Sequence, residues 1–236
     1  MLLNTMNHKE ISREVIQDNT IITNSSTMYR LVGEYYNERQ KAKVKSDDVY
    51  PKYYPIKTHA KNNWHILIEK DILKEKYIKP GDIDIIAFTY YYSNKAIRVF
   101  QPFENGSINV FNGHLFSRYR ERMELDIPNT MDVIKLFNKQ NITIDYRTIP
   151  VEEGKINTVG IVNDGFLLGE YIEEDKWYLN KTFIAKSILN SRVSAIERTT
   201  IDSIKNLILK IDKEKEKERH AGLMKLYKSL GGQWEF

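Results

Sequence analysis

The run His114-Leu115-Phe116-Ser117-Arg118-Tyr119-Arg120-Glu121-Arg122 concentrates the side chains of this chain that could do chemistry. On a helix turning by about 100° per residue, with His114 as origin, Arg118 falls near 40°, Glu121 near 340° and Arg122 near 80°. Those four share one face. Leu115, Phe116, Tyr119 and Met123 fall between about 100° and 200°, an apolar stripe suited to docking on a sheet, which leaves Ser117, Arg120 and Glu124 to water. An imidazole can give or take a proton near neutral pH, and guanidinium forks match pairs of phosphate oxygens. Metal-free RNA cleavage needs only such groups, because the 2′-hydroxyl attacks its own phosphate and asks for a base, an acid and fixed positive charge. The same spacing equally suits a hydrated ladder of ion pairs, so both readings stay open on spacing alone.

The longer run GHLFSRYRERMELDIPNTMDVIKLF resembles the opening of small RelE-like and BrnT-like toxin ribonucleases, in which a helix bearing His and Arg precedes a second helix and a twisted antiparallel sheet. VNDGFLLGEYIEEDKWYLNKTFIA is similar to the closing hairpin of that fold. The resemblance covers roughly residues 108–190. It implies His114 as general acid or base, Arg118 and Arg122 on the phosphate with Glu121 beside them, and Tyr119, Lys181 and Thr182 as substrate-binding residues. It further implies a metal-independent endoribonuclease of toxin or phage-defence type, with RNA as substrate, a cognate inhibitor or partner protein, and no cofactor. The chain is much longer than such toxins, and a strand-rich region precedes the motif.

The flanking hydropathy periods outline the elements that must carry this helix. From Ser26, the spacing of Met28, Leu31, Val32, Tyr35 and Tyr36 predicts an amphipathic helix, and its continuation makes residues 27–45 strongly basic. The polar residues before Ser26 read as a loosely held arm. Pro51 and Pro55 enforce extended chain and mark a boundary near residue 56. Strands are expected at Trp64–Ile68, Ile83–Tyr91, Ala96–Phe100 and Ile108–Phe111, with a short helix around Ile72–Tyr77. The period then lengthens for helices over Gly113–Leu125 and from Pro128, the latter using Met131, Val133, Ile134 and Phe137. Strands follow at Ile142–Thr148, Ile156–Val162, Phe166–Ile172 and Trp177–Ile184, with Asp164-Gly165 as a hairpin turn. Ile201, Ile204, Leu207, Ile208 and Ile211 open a helical tail. The expected fold is α+β, an antiparallel sheet packed with a two-helix segment. It divides into an N-terminal arm with an amphipathic helix (1–55), a core (56–198) and a C-terminal helical extension (199–236).

Composition narrows the classes. The 236 residues carry 36 Lys plus Arg against 32 Asp plus Glu and contain no Cys, which excludes disulfides, thiol nucleophiles and Cys-held metals. The start lacks a basic leader and cleavage site and no run approaches membrane-span length, so a cytoplasmic protein without a membrane partner is expected. There is no Walker loop, GxGxxG or GxSxG. Asp82 and Asp84 resemble a carboxylate strand of restriction-type nucleases, but Gln101 stands where the partner acid belongs and no Lys follows. His59 and His65 have no carboxylate at a spacing that completes a metal set. Tyr90-Tyr91-Tyr92, with Tyr53 and Tyr54, could stack bases, although strand alternation turns half of the rings inward. The alternative to an enzyme is a non-catalytic module that binds nucleic acid or protein.

Overall fold

A computed structural model of the chain describes residues 1–41, 52–69, 84–93, 96–103, 105–150 and 156–187. The chain forms two compact units, Met1–Ala185 and Lys186–Phe236, the first of which contains the sheet and its helices. The helices expected around 72–77 and 201–230, the basic residues 42–45 and Asp82 lie outside the described residues.

Two antiparallel meanders build one sheet. The first runs through β1 (Lys52–Lys57), β2 (Asn63–Glu69), β3 (Asp84–Ser93), β4 (Ala96–Pro102) and β5 (Ile108–Asn112). Helices α3 (Gly113–Arg122) and α4 (Thr130–Gln140) lead into the second, β6 (Asp145–Pro150), β7 (Ile156–Val162), β8 (Gly165–Ile172) and β9 (Trp177–Ala185). The strand order is β1-β2-β3-β4-β5-β9-β8-β7-β6, and β9 lies parallel to β5, with Ile108 opposite Trp177 and Phe111 opposite Asn180. The protein is therefore α+β with a mixed nine-stranded sheet, not the wholly antiparallel one expected. The parallel pair joins residues about seventy positions apart, a long-range choice that no local hydropathy period encodes.

Side-chain alternation assigns each strand residue to one of two faces. Trp64, Ile66, Phe100, Ile108, Val110 and Trp177 point to the face covered by α1 (His8–Thr23) and α2 (Ser26–Lys41). The opposite face carries Phe88, Val99, Phe111 and Phe183 and is covered by α3 and α4. Under those helices the rings of Phe111, Phe116 and Phe137 meet at 5.7–6.0 Å, and Tyr119 packs 5.1 Å from Phe137 and 4.9 Å from Phe183. Aromatic burial on this scale locks α3 to the sheet.

The first residues are not a loose arm. Asn7 and Glu10 form a capping box that starts α1, and Ile11, Val15 and Ile22 bury one stripe of it. Within that stripe sits Asp18, only 5% exposed. Its Oδ2 accepts from Thr58 Oγ1 and Asn62 Nδ2, both at 2.8 Å, and from Trp64 Nε1 at 3.1 Å. Strand β1 runs through residue 56, the expected boundary, and pairs with β2 along its whole length.

Local details depart from expectation for identifiable reasons. Helix α3 stops at Met123 because Glu124 takes a positive φ of 52°, short of Leu125. Pro128 stands before the second helix, whose cap is Asn129 accepting from Met131 N–H at 2.8 Å. The β7–β8 turn consists of Asn163 and Asp164, while Gly165 already belongs to β8. A β-carbon at Gly165 would lie 2.0 Å from the Ile184 carbonyl oxygen, so this glycine serves strand contact and not the turn.

The second meander coils strongly. Tyr146, on the edge strand β6, hydrogen-bonds through its hydroxyl to Asn109 Oδ1 on β5 at 2.7 Å and stacks on Tyr178 at 4.1 Å. Burial drives the Tyr146 phenol far above its ordinary range.

Candidate functional site

Helix α3 leaves the sheet directly from β5, and its first residue rests on β4. A β-carbon on Gly113 would lie 3.1 Å from the carbonyl oxygen of Ile97 and 3.3 Å from its nitrogen, closer than other residues pack without displacement. From that anchor the amphipathic pattern acts as predicted: Leu115, Phe116 and Tyr119 are buried, and His114 is exposed. Arg118 and Glu121 form an exposed pair at 2.8 Å. An exposed pair one turn apart contributes only a few tenths of a kcal/mol, about 0.3–0.5, so Arg118 can exchange Glu121 for a stronger anion at little cost.

The remaining residues are placed otherwise. Arg122 donates from Nη1 to the backbone carbonyl of Phe183, which ties the end of α3 to β9. Tyr119 is 1% exposed, and its hydroxyl donates to Asp164 Oδ2 in the β7–β8 turn. Burial, and then the Asp164 carboxylate, hold that phenol above its usual range. Asn141 completes this contact by donating to the same oxygen at 3.0 Å.

Lys181 and Thr182 lie across the sheet from His114. The β8–β9 pairing steps from Leu168 opposite Thr182 to Gly169 opposite Asn180, which leaves Lys181 as the extra residue of a bulge. Asn180 and Phe183 both keep to the α3 face, so Thr182 turns to the other side with Leu168. Lys181 Nζ pairs at 2.7 Å with Glu170, another residue of that opposite face. The residues expected to close one cleft are thus divided: His114, Arg118 and Glu121 share an exposed helix face, Arg122 and Tyr119 are engaged in packing, and Lys181 and Thr182 stand behind the sheet.

An aromatic strip runs on the same face of the sheet as α3. Ile97, under Gly113, pairs across the strands with Tyr92, placing Tyr92 about one strand spacing, 4.8 Å, from the backbone under the helix start. Tyr92 is 61% exposed and meets Tyr90 edge-on at 5.8 Å. Tyr90 stacks on His65 at 5.8 Å, and His65 stacks on the buried Phe88 at 5.3 Å. Tyr53 ends the strip beneath α4, donating its hydroxyl to the Lys135 carbonyl. Burial, and secondarily the Lys135 ammonium, push the His65 imidazole below its ordinary value. Tyr91 alternates to the other face and stacks on Phe100 at 5.6 Å, while Tyr54 is buried. Alternation therefore splits the Tyr90-Tyr91-Tyr92 run as its period requires, and of these three rings Tyr92, on the α3 side, is the exposed one.

A cleft of about 720 Å³ lies along the start of α1 and includes Met6, His8, Arg13 and Asp175. There His8 Nδ1 is 2.8 Å from Asp175 Oδ2 and its ring lies 4.2 Å from Trp177. Nothing in the sequence signals that pairing across 167 positions. It pins α1 to the β8–β9 turn. Among the described residues no cluster of three His, Asp or Glu side chains could hold a metal. Gln101, at the position where the restriction-type pattern needs an acid, is buried against Asn109. No helix among the described residues is long and apolar enough to cross a membrane. No protein-family model, curated protein or solved structure matches the chain.

Proposed function

We propose that this protein binds RNA through the α3 side of its sheet, with His114 and Arg118 on the phosphate backbone. The observation that carries this reading is the exposed imidazole and guanidinium one helical turn apart, on a helix whose packing onto Ile97, Phe111 and Phe183 fixes where both project. Arginine forks match phosphate oxygens, and a charge held on a packed helix loses little freedom when it engages them. Lys135 on α4, loosely paired with Asp132 at 3.6 Å, adds a partly exposed cation on the same side. The test is the affinity of the full-length protein for a fluorescein-labelled RNA across a salt series. Replacing Arg118 with Ala removes a phosphate contact, so the slope of log affinity against log salt should shrink by about one contact, 0.7–0.9. An affinity and slope unchanged in Arg118→Ala would refute the reading.

Cleavage is the second reading, supported by the accessibility of His114 beside Arg118. In that step the 2′-oxygen bonds to its neighbouring phosphorus as His114 takes its proton. The P–O5′ bond breaks and the leaving 5′-oxygen takes a proton from water, giving a 2′,3′-cyclic phosphate and a 5′-hydroxyl, and His114 then returns its proton to solvent. The engagement of Arg122 by Phe183 and the placement of Lys181 and Thr182 behind the sheet leave one guanidinium for the phosphorane, which favours binding over turnover. Cyclic-phosphate termini that form with the parent protein, in the presence of EDTA, and vanish with His114→Ala would establish the enzyme. Intact RNA in both would exclude it.

A further inference from the structure

We infer that the strip Tyr92, Tyr90 and His65 is a base-stacking platform, so that the RNA bound beside it is single-stranded. This inference rests on the proposed contact of α3 with phosphate and adds what the bases do.

Tyr92 keeps 61% of its surface in solvent and, unlike the isolated Tyr29, stands at the open end of an aromatic row that begins in the core. The row is graded. Phe88 is fully buried, His65 and Tyr90 are half-buried, and Tyr92 is open. Its inner members are already paired: His65 lies nearly parallel to Phe88, at 26°, and to Tyr90, at 20°. Tyr90 has therefore one ring face committed to His65. Tyr92 stands at 86° to Tyr90 in a T-shaped contact, which leaves at least one face of the Tyr92 ring uncommitted by it.

The occupant follows from charge. The α3 helix brings His114 and Arg118 to this face, and α4 brings Lys135, whose charge reaches His65. Among the described residues Arg118 and Lys135 are held only by the exposed carboxylates of Glu121 and Asp132, so the patch sets π faces beside exchangeable cations. A single strand offers that complement, bases for the rings and phosphates for the cations. A duplex hides its base faces and could meet only the cations. The platform therefore selects unpaired strands, with little regard to sequence, because every base has a π face.

The test uses the full-length protein with a fluorescein-labelled 12-nucleotide oligouridylate and a 12-base-pair RNA duplex at one salt concentration. The single strand should bind more tightly than the duplex. Tyr92→Ala should weaken single-strand binding by about 5- to 150-fold, the range for loss of one stacked base, and leave the duplex unaffected. Tyr92→Trp should restore it. Irradiation of the parent complex should crosslink uracil to the peptide containing Tyr92. Equal affinity for both RNAs, with the Arg118→Ala loss intact, would overturn the platform while sparing the phosphate contact. Binding of neither RNA would overturn both. Since Tyr92 is largely exposed, its variants are expected to keep the parent unfolding midpoint, which separates lost stacking from lost structure.

Discussion

Replacing Asp18 with Ala tests whether the N-terminal helices are integral to the sheet. Three donors converge on one carboxylate oxygen, and two of them, from Asn62 and Trp64, belong to residues at most 3% exposed. A hydrogen bond to a charged group contributes about 1.5–3 kcal/mol, and a buried donor left without its partner costs about 1–3 kcal/mol. Thr58 is only partly buried, so water can replace its bond. The bonds to Asn62 and Trp64 cannot be replaced in this way, which sets the expected loss near 3–4 kcal/mol. With a urea dependence of about 2 kcal/mol/M for a unit of this size, the midpoint should fall by about 1.5–2 M with the slope unchanged. Asp18→Asn retains one acceptor and should lose about half as much. Asp132→Ala, an exposed helix position, serves as control and should stay within about 0.5 kcal/mol. A loss below about 1 kcal/mol in Asp18→Ala would refute the reasoning and return residues 1–25 to the status of an arm.

Four further outcomes follow from the placement of individual side chains. Folding holds the His65 imidazole below its unfolded value near 6.5, so above that pH the neutral ring costs nothing, and stability is lost as pH falls through it toward the folded value. The drop in melting temperature between pH 7 and 5 should accordingly be smaller in His65→Gln. Lys181→Ala and Thr182→Val should leave RNA affinity unchanged in the fluorescence assay, because both residues face away from α3. Gly169→Ala should cost about 2–4 kcal/mol in urea unfolding, since its β-carbon would stand 2.1 Å from the Leu179 carbonyl oxygen. Tyr119→Phe should destabilise by about 1.5–3 kcal/mol through loss of the Asp164 bond while leaving RNA affinity intact.

The periods of two and 3.6 located most elements between Ser26 and Ala185 within a few residues. The 156–162 strand matches its expected limits, and Leu115, Phe116 and Tyr119 bury as the helical projection requires. The α1 signal was also present: Asn7-x-x-Glu10 is a capping box, and Ile11, Val15 and Ile22 keep helical spacing. An acid at Asp18 in the apolar stripe disguised it, and only the tertiary donors from Thr58, Asn62 and Trp64 explain that residue. The candidate site was less legible. Spacing put His114 and Arg118 on one exposed face, but the fate of Arg122 depends on a carbonyl of β9. That of Lys181 and Thr182 depends on a single-residue bulge, which reverses the side of the sheet to which every later residue of the strand points. The pairing of Ile97 with Tyr92 joins the aromatic strip to the helix start, and that adjacency needs the β3–β4 register as well as the packing of Gly113.

The central claim is that RNA lies on the α3 side of the sheet, across the start of α3 and the outer part of β3. Amide hydrogen exchange of the full-length protein, with and without saturating oligouridylate, locates the bound strand directly. Slowed exchange in peptides spanning Tyr90–Ser93 and Gly113–Arg118 is the predicted result. Protection confined to α1 and the β8–β9 turn, around His8 and Asp175, would contradict the account.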